Sequence, residues 1–436
     1  MGQWKFCPWQ EQLPKRDPTR FVHLSILCEY AESCPLNGVQ CTRPLRVLFL
    51  MTVFSLSLQQ NDSSFMVVDL DSLFDRFSLW KRELPHIEPF YAVKCNNDET
   101  FLRSLAAMGV GFDCASRGEI DDVLRLGVSP DRIVYAHPCK SPSFISHAYN
   151  HGVDLLTFDN HEELNKIAVH QTCPQLLLRI AVSDPTARYP LASKFGADPK
   201  QKAPQLLKYA ADLGLPVVGV CFHVGSEAND PSAYRLALEQ TKRLFTIGLS
   251  FGHKMQIVDV GGGFPGREYT PSFEKFAASI RSAVHDIFPD PNVRLIAEPG
   301  RFFAERPFTL VASVMARTAV SAERITKKSC DASSTGHMYY INDGVYGNFI
   351  CGLTDNYYPP GRPLFDDENG ELFPSLIWGP TCDSHDRLED NKMMRRLEVG
   401  DWIIYEDMGA YTSAVSTTFN GFQRPTPIYF ISESRW

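Results

Sequence analysis

Pro89-Phe90-Tyr91-Ala92-Val93-Lys94-Cys95-Asn96 is a short apolar strand pattern that closes on a lysine. An amine at the end of a buried strand is unfavourable unless it has a use. Desolvation favours the neutral amine, which can attack a carbonyl. Covalent capture of an aldehyde cofactor is one such use, and reaching out to water is the ordinary alternative. What surrounds this stretch along the chain separates the two.

Outward from it, apolar runs alternate with helical patterns. The runs are Phe90–Lys94, Gly111–Cys114, Arg132–Ala136, Asp154–Phe158, Leu176–Ile180, Val217–Val224, Ile257–Val260 and Arg294–Ala297. Between them lie the amphipathic stretches Glu99–Met108, Arg117–Leu126, His161–Val169, Pro204–Leu213, Pro231–Ile247 and Pro271–Ile287. Asp98, Ser116 and Asp230 stand where helix caps belong. Eight strands alternating with helices predict an α/β chain with a parallel sheet closed into a (β/α)8, TIM-like barrel; an open doubly wound sheet is the alternative. The barrel is favoured because functional side chains stand at the strands' C-terminal ends. These are Lys94, Asp113, His137, Asp159, Arg179, His223, Gly261-Gly262-Gly263 and Glu298-Pro299-Gly300-Arg301. In such barrels active sites gather on that face.

Beyond Arg301 the alternation stops. Phe308–Ala316, Met338–Asn342, Leu376–Trp378, Trp402–Glu406 and Ile428–Ile431 read as strands, with Ser321–Gly336 and Pro359–Leu372 as exposed loops. The second domain is therefore a mainly antiparallel β-barrel or β-sandwich. The expected layout is a divergent N-terminal segment over 1–60 that can supply a β-domain strand, the barrel over 61–305, and the β domain over 306–436.

Composition is that of an ordinary globular protein: 436 residues, 44% hydrophobic, 22% charged. A net charge of −8 argues against a nucleic-acid surface. Twelve scattered cysteines fit a reducing, cytoplasmic setting better than a disulfide scaffold, and Cys28, Cys34 and Cys41 lack zinc-site spacing. Leu45–Leu58 is apolar but short for a membrane span, and reads as a buried strand or helix. No metal site and no membrane association is expected.

The chemistry converges on one face. The glycines of Gly261-Gly262-Gly263-Phe264-Pro265-Gly266 either form a plain turn or let backbone N–H groups approach an anion. Gly300 and Arg301 can complete a phosphate site. Glu298 can keep a pyridine nitrogen protonated, or form a salt bridge with Arg179 or Arg301. His223 can stack on a ring, shuttle a proton or simply pack. Together with Lys94 these groups describe a pyridoxal 5'-phosphate site better than any one alone. In the second domain, Cys382 beside Asp383 is either a proton donor or a small buried hydrophobe, and Tyr411 either bonds phosphate or packs.

With those residues in view, the chain resembles the eukaryotic ornithine decarboxylases, pyridoxal-phosphate enzymes of the alanine-racemase-like barrel fold. PFYAVKCN, GFDCAS, KFGA, HVGS, GGGFPG, AEPGR, NDGVYG, WGPTCDSHD, YEDMGAYT and FNGFQRP occur in order from about Phe65 to the C-terminus. The resemblance implies that Lys94 holds the cofactor covalently, Glu298 pairs the pyridine nitrogen and His223 stacks on the ring. It implies that Ser226, Gly262, Gly263, Gly300, Arg301 and Tyr411 hold the phosphate. Asp113 and Arg179 would line the cofactor face, with Glu119 in support. Cys382 would protonate the substrate carbon once CO2 has left. Asp355 and Asp383 would bind the distal ammonium of L-ornithine, with Phe419 closing the pocket. It further implies a homodimer with shared active sites, an ion pair between Lys194 and Asp386 across that dimer, and putrescine as product, the first step of polyamine synthesis.

The chain departs from the family in three places. HVGS is followed by Glu227 where the family usually has glycine, so a carboxylate beside the phosphate-binding serine either repels the cofactor phosphate or points away from it. Residues 1–60 do not resemble the usual N-terminal region. The chain ends at Trp436, so tail-driven turnover is not expected, while binding of the regulatory protein antizyme is left open. Two alternatives stand beside the ornithine reading: a catalytically silent binding protein like the antizyme inhibitors, and a lysine/ornithine decarboxylase, since one methylene discriminates weakly.

Overall fold

The computed structural model describes residues 21–22, 63–182, 184–189, 194–268, 270–355, 357–364, 370–432 and 435. The chain divides into two compact units, Asp75–Ala304 and a second made of residues up to Phe74 with Glu305–Trp436. The apolar run at 45–58 lies outside the described residues.

The second unit draws its first strands from the N-terminal part of the chain: β1 (Phe21–Val22) and β2 (Phe65–Asp69). Helix α1 (Leu70–Glu83) follows. The barrel then runs through β3 (Ile87–Ala92), β4 (Gly111–Cys114), β5 (Ile133–Tyr135), β6 (Leu155–Phe158), β7 (Gln175–Ile180), β8 (Val217–Phe222), β9 (Ile257–Asp259) and β10 (Arg294–Ala297). All eight pair in parallel, and β10 closes on β3 with Leu295 opposite Ile87. The closed barrel is the predicted architecture, and every predicted barrel strand is present within a few residues.

Local signals explain most of the outer helices. These are α2 (Glu99–Ala107), α3 (Arg117–Arg125), α4 (Pro142–Asn150), α5 (His161–His170), α6 (Lys202–Asp212), α7 (Ser232–Ser250) and α8 (Phe273–Ile287). Asp98 caps α2 by accepting the Phe101 N–H at 2.9 Å, and Ser116 caps α3 at the Glu119 N–H. Each cap satisfies an N–H that the helix itself leaves unpaired. Helix α4 was not expected: of its nine residues only Ile145 and Ala148 are buried, too little apolar periodicity to read.

Phe90, Val134, Ala136, Leu155, Leu177, Cys221, Ile257 and Ile296 fill the barrel interior. Gly219 is required there, because a Cβ would lie 2.0 Å from the Ile257 carbonyl oxygen. Trp80 packs its ring 5.0 Å from Phe264, 5.3 Å from Phe302 and 5.7 Å from Phe273. Its Nε1 donates to the Ile87 carbonyl, so the buried indole has no unpaired donor. This cluster underpins both the glycine-rich turn after β9 and the short helix α9 (Arg301–Ala304) after β10.

The second unit continues with β11 (Phe308–Ser321), β12 (Thr335–Ile341), β13 (Arg362–Pro363), β14 (Leu372–Trp378), β15 (Arg387–Arg395), β16 (Trp402–Tyr405) and β17 (Thr426–Phe430). The sheet order is β1-β17-β2-β11-β12-β14-β15, with β16 and β13 joined to it through β11. Most pairings are antiparallel, while β1–β17, β17–β2 and β12–β14 are parallel.

The boundary at residue 61 is corrected. Strand β2 pairs with β11 and β17, so it belongs to the β unit rather than to the barrel. Its FMVVD pattern is buried on both faces and carries no mark of which sheet it will join. Ser321–Gly336 is also not all loop: it includes α10 (Glu323–Thr326), which buries Ile325.

Candidate active site

Strand β3 ends at Ala92, and Lys94 sits in the 3-10 turn Val93–Cys95 that follows. Its side chain is 44% exposed, and its amine forms an ion pair with the fully enclosed carboxylate of Asp113 on β4. The expectation of a desolvated lysine is thus corrected: a carboxylate, rather than apolar burial, positions the amine. The other Asp113 oxygen, Oδ1, is buried and has no hydrogen-bond partner among the described residues. Such an atom is costly to leave unpaired, which suits a ligand-facing position.

Glu298 follows β10 and donates its backbone N–H to the Gly261 carbonyl at 2.7 Å. Burial, then the neighbouring carboxyls of Asp259 and Asp113, push its carboxyl well above the usual range. Burial likewise raises Asp259 to about 7, against hydrogen bonds from the Gly261 N–H at 2.8 Å and from Glu298. Two buried acids side by side cannot both ionise easily, so the pair retains a proton near neutral pH. A cationic ring nitrogen is the group that would relieve this, so the acids fit a pyridinium.

His223 is half-buried. Burial, with Arg179 and Lys94 nearby, lowers it to about 3, so the imidazole is neutral. Its Nδ1 accepts the Gly225 N–H at 3.1 Å, which leaves the proton on Nε2. A Cβ on Gly262 would lie 2.6 Å from that Nε2, so the ring rests against the glycine turn. The turn itself demands glycine: Gly261 and Gly263 have φ of +66° and +109°. Tyr234 pins it from behind, donating its hydroxyl to the Gly262 carbonyl at 2.8 Å.

Arg301 is buried and donates Nε to Ser226 Oγ at 3.0 Å. Glu227 meets a cluster of arginines: Arg267 at 3.1 Å, Arg188 at 3.2 Å and Arg301 at 4.0 Å. Its φ is +50°, a left-handed value that glycine adopts without the steric cost glutamate bears. Of the two outcomes expected for this carboxylate, the structure shows it turned to the arginines, where it competes with a phosphate for Arg301. Gly300 packs against Cys95, where a Cβ would come within 3.1 Å. Glu119 supports the end of β4 by accepting the Ala115 N–H at 2.5 Å, and burial raises its carboxyl.

Two strand-end residues serve the scaffold. His137 Nδ1 accepts the Cys139 N–H, and Asp159 accepts the Gly196 N–H at 2.7 Å. The barrel thus brings together Lys94, Asp113, Arg179, His223, Ser226, Gly262, Gly263, Glu298, Gly300 and Arg301. These residues fit pyridoxal phosphate: an amine, an acid pair for the ring nitrogen, a neutral aromatic face, and glycine backbone with serine and arginine for phosphate.

The β unit holds the remaining predicted residues. Cys382 is exposed, and its backbone N–H donates to Asn420 Oδ1 at 3.3 Å. Asp383 accepts the Tyr346 hydroxyl, the His385 N–H at 3.0 Å and His385 Nδ1 at 2.9 Å. The Tyr346 bond above all lowers the Asp383 carboxyl to about 2. The Phe419 ring packs tilted against Tyr346, with centroids 4.6 Å apart, and the residue is 46% exposed. Asp355 ends α11 (Cys351–Asp355), and Tyr411 lies at φ +54°.

Asp386 is held within its own unit. It is 1% exposed, with Oδ1 accepting the Val345 N–H and Oδ2 the Thr381 N–H, both at 2.8 Å. A Cβ on Gly344 or Gly379 would lie about 2 Å from it, at 2.2 and 2.1 Å. The carboxylate ties two loops of its own unit together. Lys194 is exposed, its amine 5.0 Å from the Phe195 ring. Sequence reasoning also missed Asp259, Tyr234 and Tyr346; only Asp259, two residues ahead of the glycines in a strand, carried a visible signal.

Among the described residues all cysteines are free thiols, and no helix is long and apolar enough to cross a membrane.

Residues 70–305 match the family described as pyridoxal-dependent decarboxylase, pyridoxal binding domain. An ornithine decarboxylase of Caenorhabditis elegans is 59% identical over 382 residues, covering 88% of this chain and 90% of that protein. Antizyme inhibitor 2 of Xenopus laevis is 38% identical over 412 residues, covering 93% and 90%. The crystal structure of the Paramecium bursaria Chlorella virus arginine decarboxylase superposes with a TM-score of 0.82 at 35% identity, covering 88% of this chain and all (100%) of that one. A barrel of eight parallel strands with this acid pair, lysine and glycine turn, and relatives of this closeness, lead to one placement: the chain belongs to the pyridoxal-dependent decarboxylase family that includes the eukaryotic ornithine decarboxylases.

Proposed function

We propose that this chain decarboxylates L-ornithine to putrescine and CO2 with pyridoxal 5'-phosphate. The observation that carries the reading is Asp383 beside Cys382. A carboxylate held ionised by Tyr346 and His385 suits a distal ammonium, and a thiol next to it suits proton delivery. The similar C. elegans protein bears the name ornithine decarboxylase.

When bound, the cofactor supplies an aldehyde that captures an amine and a ring that accepts the electron pair CO2 leaves behind. Lys94, steered by Asp113, would hold that aldehyde until substrate takes its place. Glu298, with Asp259 behind it, would keep the proton at the ring nitrogen. Neutral His223 would present a flat face without adding charge. Ser226, Gly262, Gly263, Gly300 and Arg301 would hold the phosphate, together with Tyr411. Cys382 would give its proton to the former carboxylate carbon, while Asp383 and Asp355 hold the far ammonium and Phe419 closes the pocket. We infer that Cys382, Asp383 and Phe419 reach the site from a second subunit, as in the family, so the active form is a homodimer. A substrate lacking the distal ammonium would leave these carboxylates without their cationic partner, which is the basis for selecting a diamino acid.

A second reading has one observation in its favour. Glu227 engages the arginine that would hold phosphate. A protein that binds cofactor poorly would act as a silent binding protein, a possibility consistent with its similarity to an antizyme inhibitor. The test is CO2 and diamine formation from L-ornithine, with L-lysine alongside, by the purified chain with added cofactor. Ornithine-preferring turnover that Lys94→Ala abolishes supports the enzyme. No turnover by a folded, cofactor-saturated protein refutes it.

A further inference from the structure

Outside the barrel mouth, neighbouring helices α3 and α4 bring Asp121, His147 and His151 together. One donor atom from each lies within 4.8 Å of the others. His147 lies on α4 and His151 caps its C-terminal end four residues later, close enough for the side chains to meet. Their rings stand 4.1 Å apart, centroid to centroid. His147 Nε2 is 2.6 Å from Asp121 Oδ1. The reaction uses none of these residues.

We propose that Asp121, His147 and His151 form a binding site for a borderline-soft divalent cation, with Zn2+ as its natural probe. Two imidazoles and one carboxylate suit Zn2+, Cu2+ or Ni2+, whereas Mg2+ and Ca2+ require oxygen ligands. A second observation points the same way. His151 Nδ1 bonds the His147 carbonyl at 2.9 Å, which fixes its proton there and leaves Nε2 as a lone-pair donor. Metal-binding histidines are oriented by this kind of bond to a backbone carbonyl. Asp121 has an outer partner too: Arg117 Nε lies 3.6 Å from Oδ2, the oxygen that does not face His147. Donors around a tetrahedral Zn2+ are about 3.3 Å apart, given Zn–N bonds of about 2.0–2.1 Å. The exposed His151 ring can close the remaining gap by rotation. Three protein ligands leave one position for water, and the bound ion would clip α3 to α4.

The chelator-treated full chain is titrated with Zn2+ by calorimetry and with Co2+ by visible absorption. The expected result is an equivalent of bound metal that His151→Ala weakens about tenfold or more, in keeping with losses for less direct partners. His147→Ala/His151→Ala should remove it while leaving the metal-free melting temperature near that of the parent. The Co2+ spectrum should show nitrogen and oxygen ligation without a thiolate charge-transfer band, which separates this site from the exposed Cys139, Cys173, Cys330 and Cys382. No bound equivalent, an unchanged equivalent in the double variant, or a thiolate band for that equivalent overturns the proposal.

Discussion

Replacing Glu227 by glutamine should tighten the hold on cofactor. The carboxylate lies 4.0 Å from the Arg301 guanidinium. At an effective dielectric constant of about 20, unit charges at that distance attract by about 4 kcal/mol. Arg188 and Arg267 lie closer, at 3.2 and 3.1 Å, and take most of the carboxylate's hydrogen bonding. Only part of the Arg301 attraction is therefore withheld from an incoming phosphate. If about a third of it is released, affinity rises about tenfold, equivalent to roughly 1.4 kcal/mol. Glutamine keeps the side-chain volume and the backbone strain while removing the charge. Glu227→Gly also removes the charge and relieves a left-handed conformation that costs roughly 1–2 kcal/mol. The assay is equilibrium titration of the cofactor-free protein with pyridoxal phosphate, read by the cofactor's absorbance and by protection against thermal unfolding. Both variants should bind about tenfold more tightly than the parent. Tightening by glycine alone would assign the effect to the backbone. Weaker binding by Glu227→Gln would refute the competition argument and show that the carboxylate organises the arginines for phosphate.

Other expectations follow from the same geometry. Asp259 is raised to about 7 from a usual carboxyl near 3.8, so the folded cofactor-free protein binds an extra proton between those values. That contribution is present in acid and lost as pH rises through about 7. Asp259→Asn should therefore gain melting temperature relative to the parent from pH 5 to pH 8, and a constant difference would count against the buried acid pair. Tyr346→Phe removes the main hydrogen bond holding Asp383 and should raise KM for ornithine severalfold with little change in kcat, whereas Asp383→Asn should cost about tenfold or more in kcat/KM. An unchanged KM in both would remove Asp383 from substrate binding. Mixed dimers of Lys94→Ala with Cys382→Ala should regain part of the activity that each lacks; none after verified subunit exchange would reject the shared site.

Much of this molecule is legible in its sequence because the governing signals are local. The barrel strands are short, dense apolar runs bounded by turns, and the helix caps at Asp98 and Ser116 are single residues whose bonds lie three positions away. Lys94, Glu298, His223, Gly262, Gly263 and Arg301 could be named together because a parallel barrel delivers every strand's C-terminal end to one face. Strand β15 escaped notice because RLEDNKMMR is mostly polar, with Leu388 and Met394 its buried residues.

What the tertiary structure decided concerns partners distant in sequence. Strand β2 joins the β sheet because β11 and β17, more than two hundred residues later, supply its hydrogen bonds. Lys94 meets a carboxylate rather than an apolar wall because β4 places Asp113 beside it. Glu227 looks like a liability beside a phosphate-binding serine until Arg188 and Arg267 from two loops and Arg301 from α9 gather around it. Asp386 ties together loops around Val345 and Thr381, a role its own sequence neighbours do not announce. Hydrophobic periodicity and capping act over a few residues and can be read from the chain alone. The charge state and partners of a buried group depend on which distant atoms surround it, and only the folded arrangement supplies those.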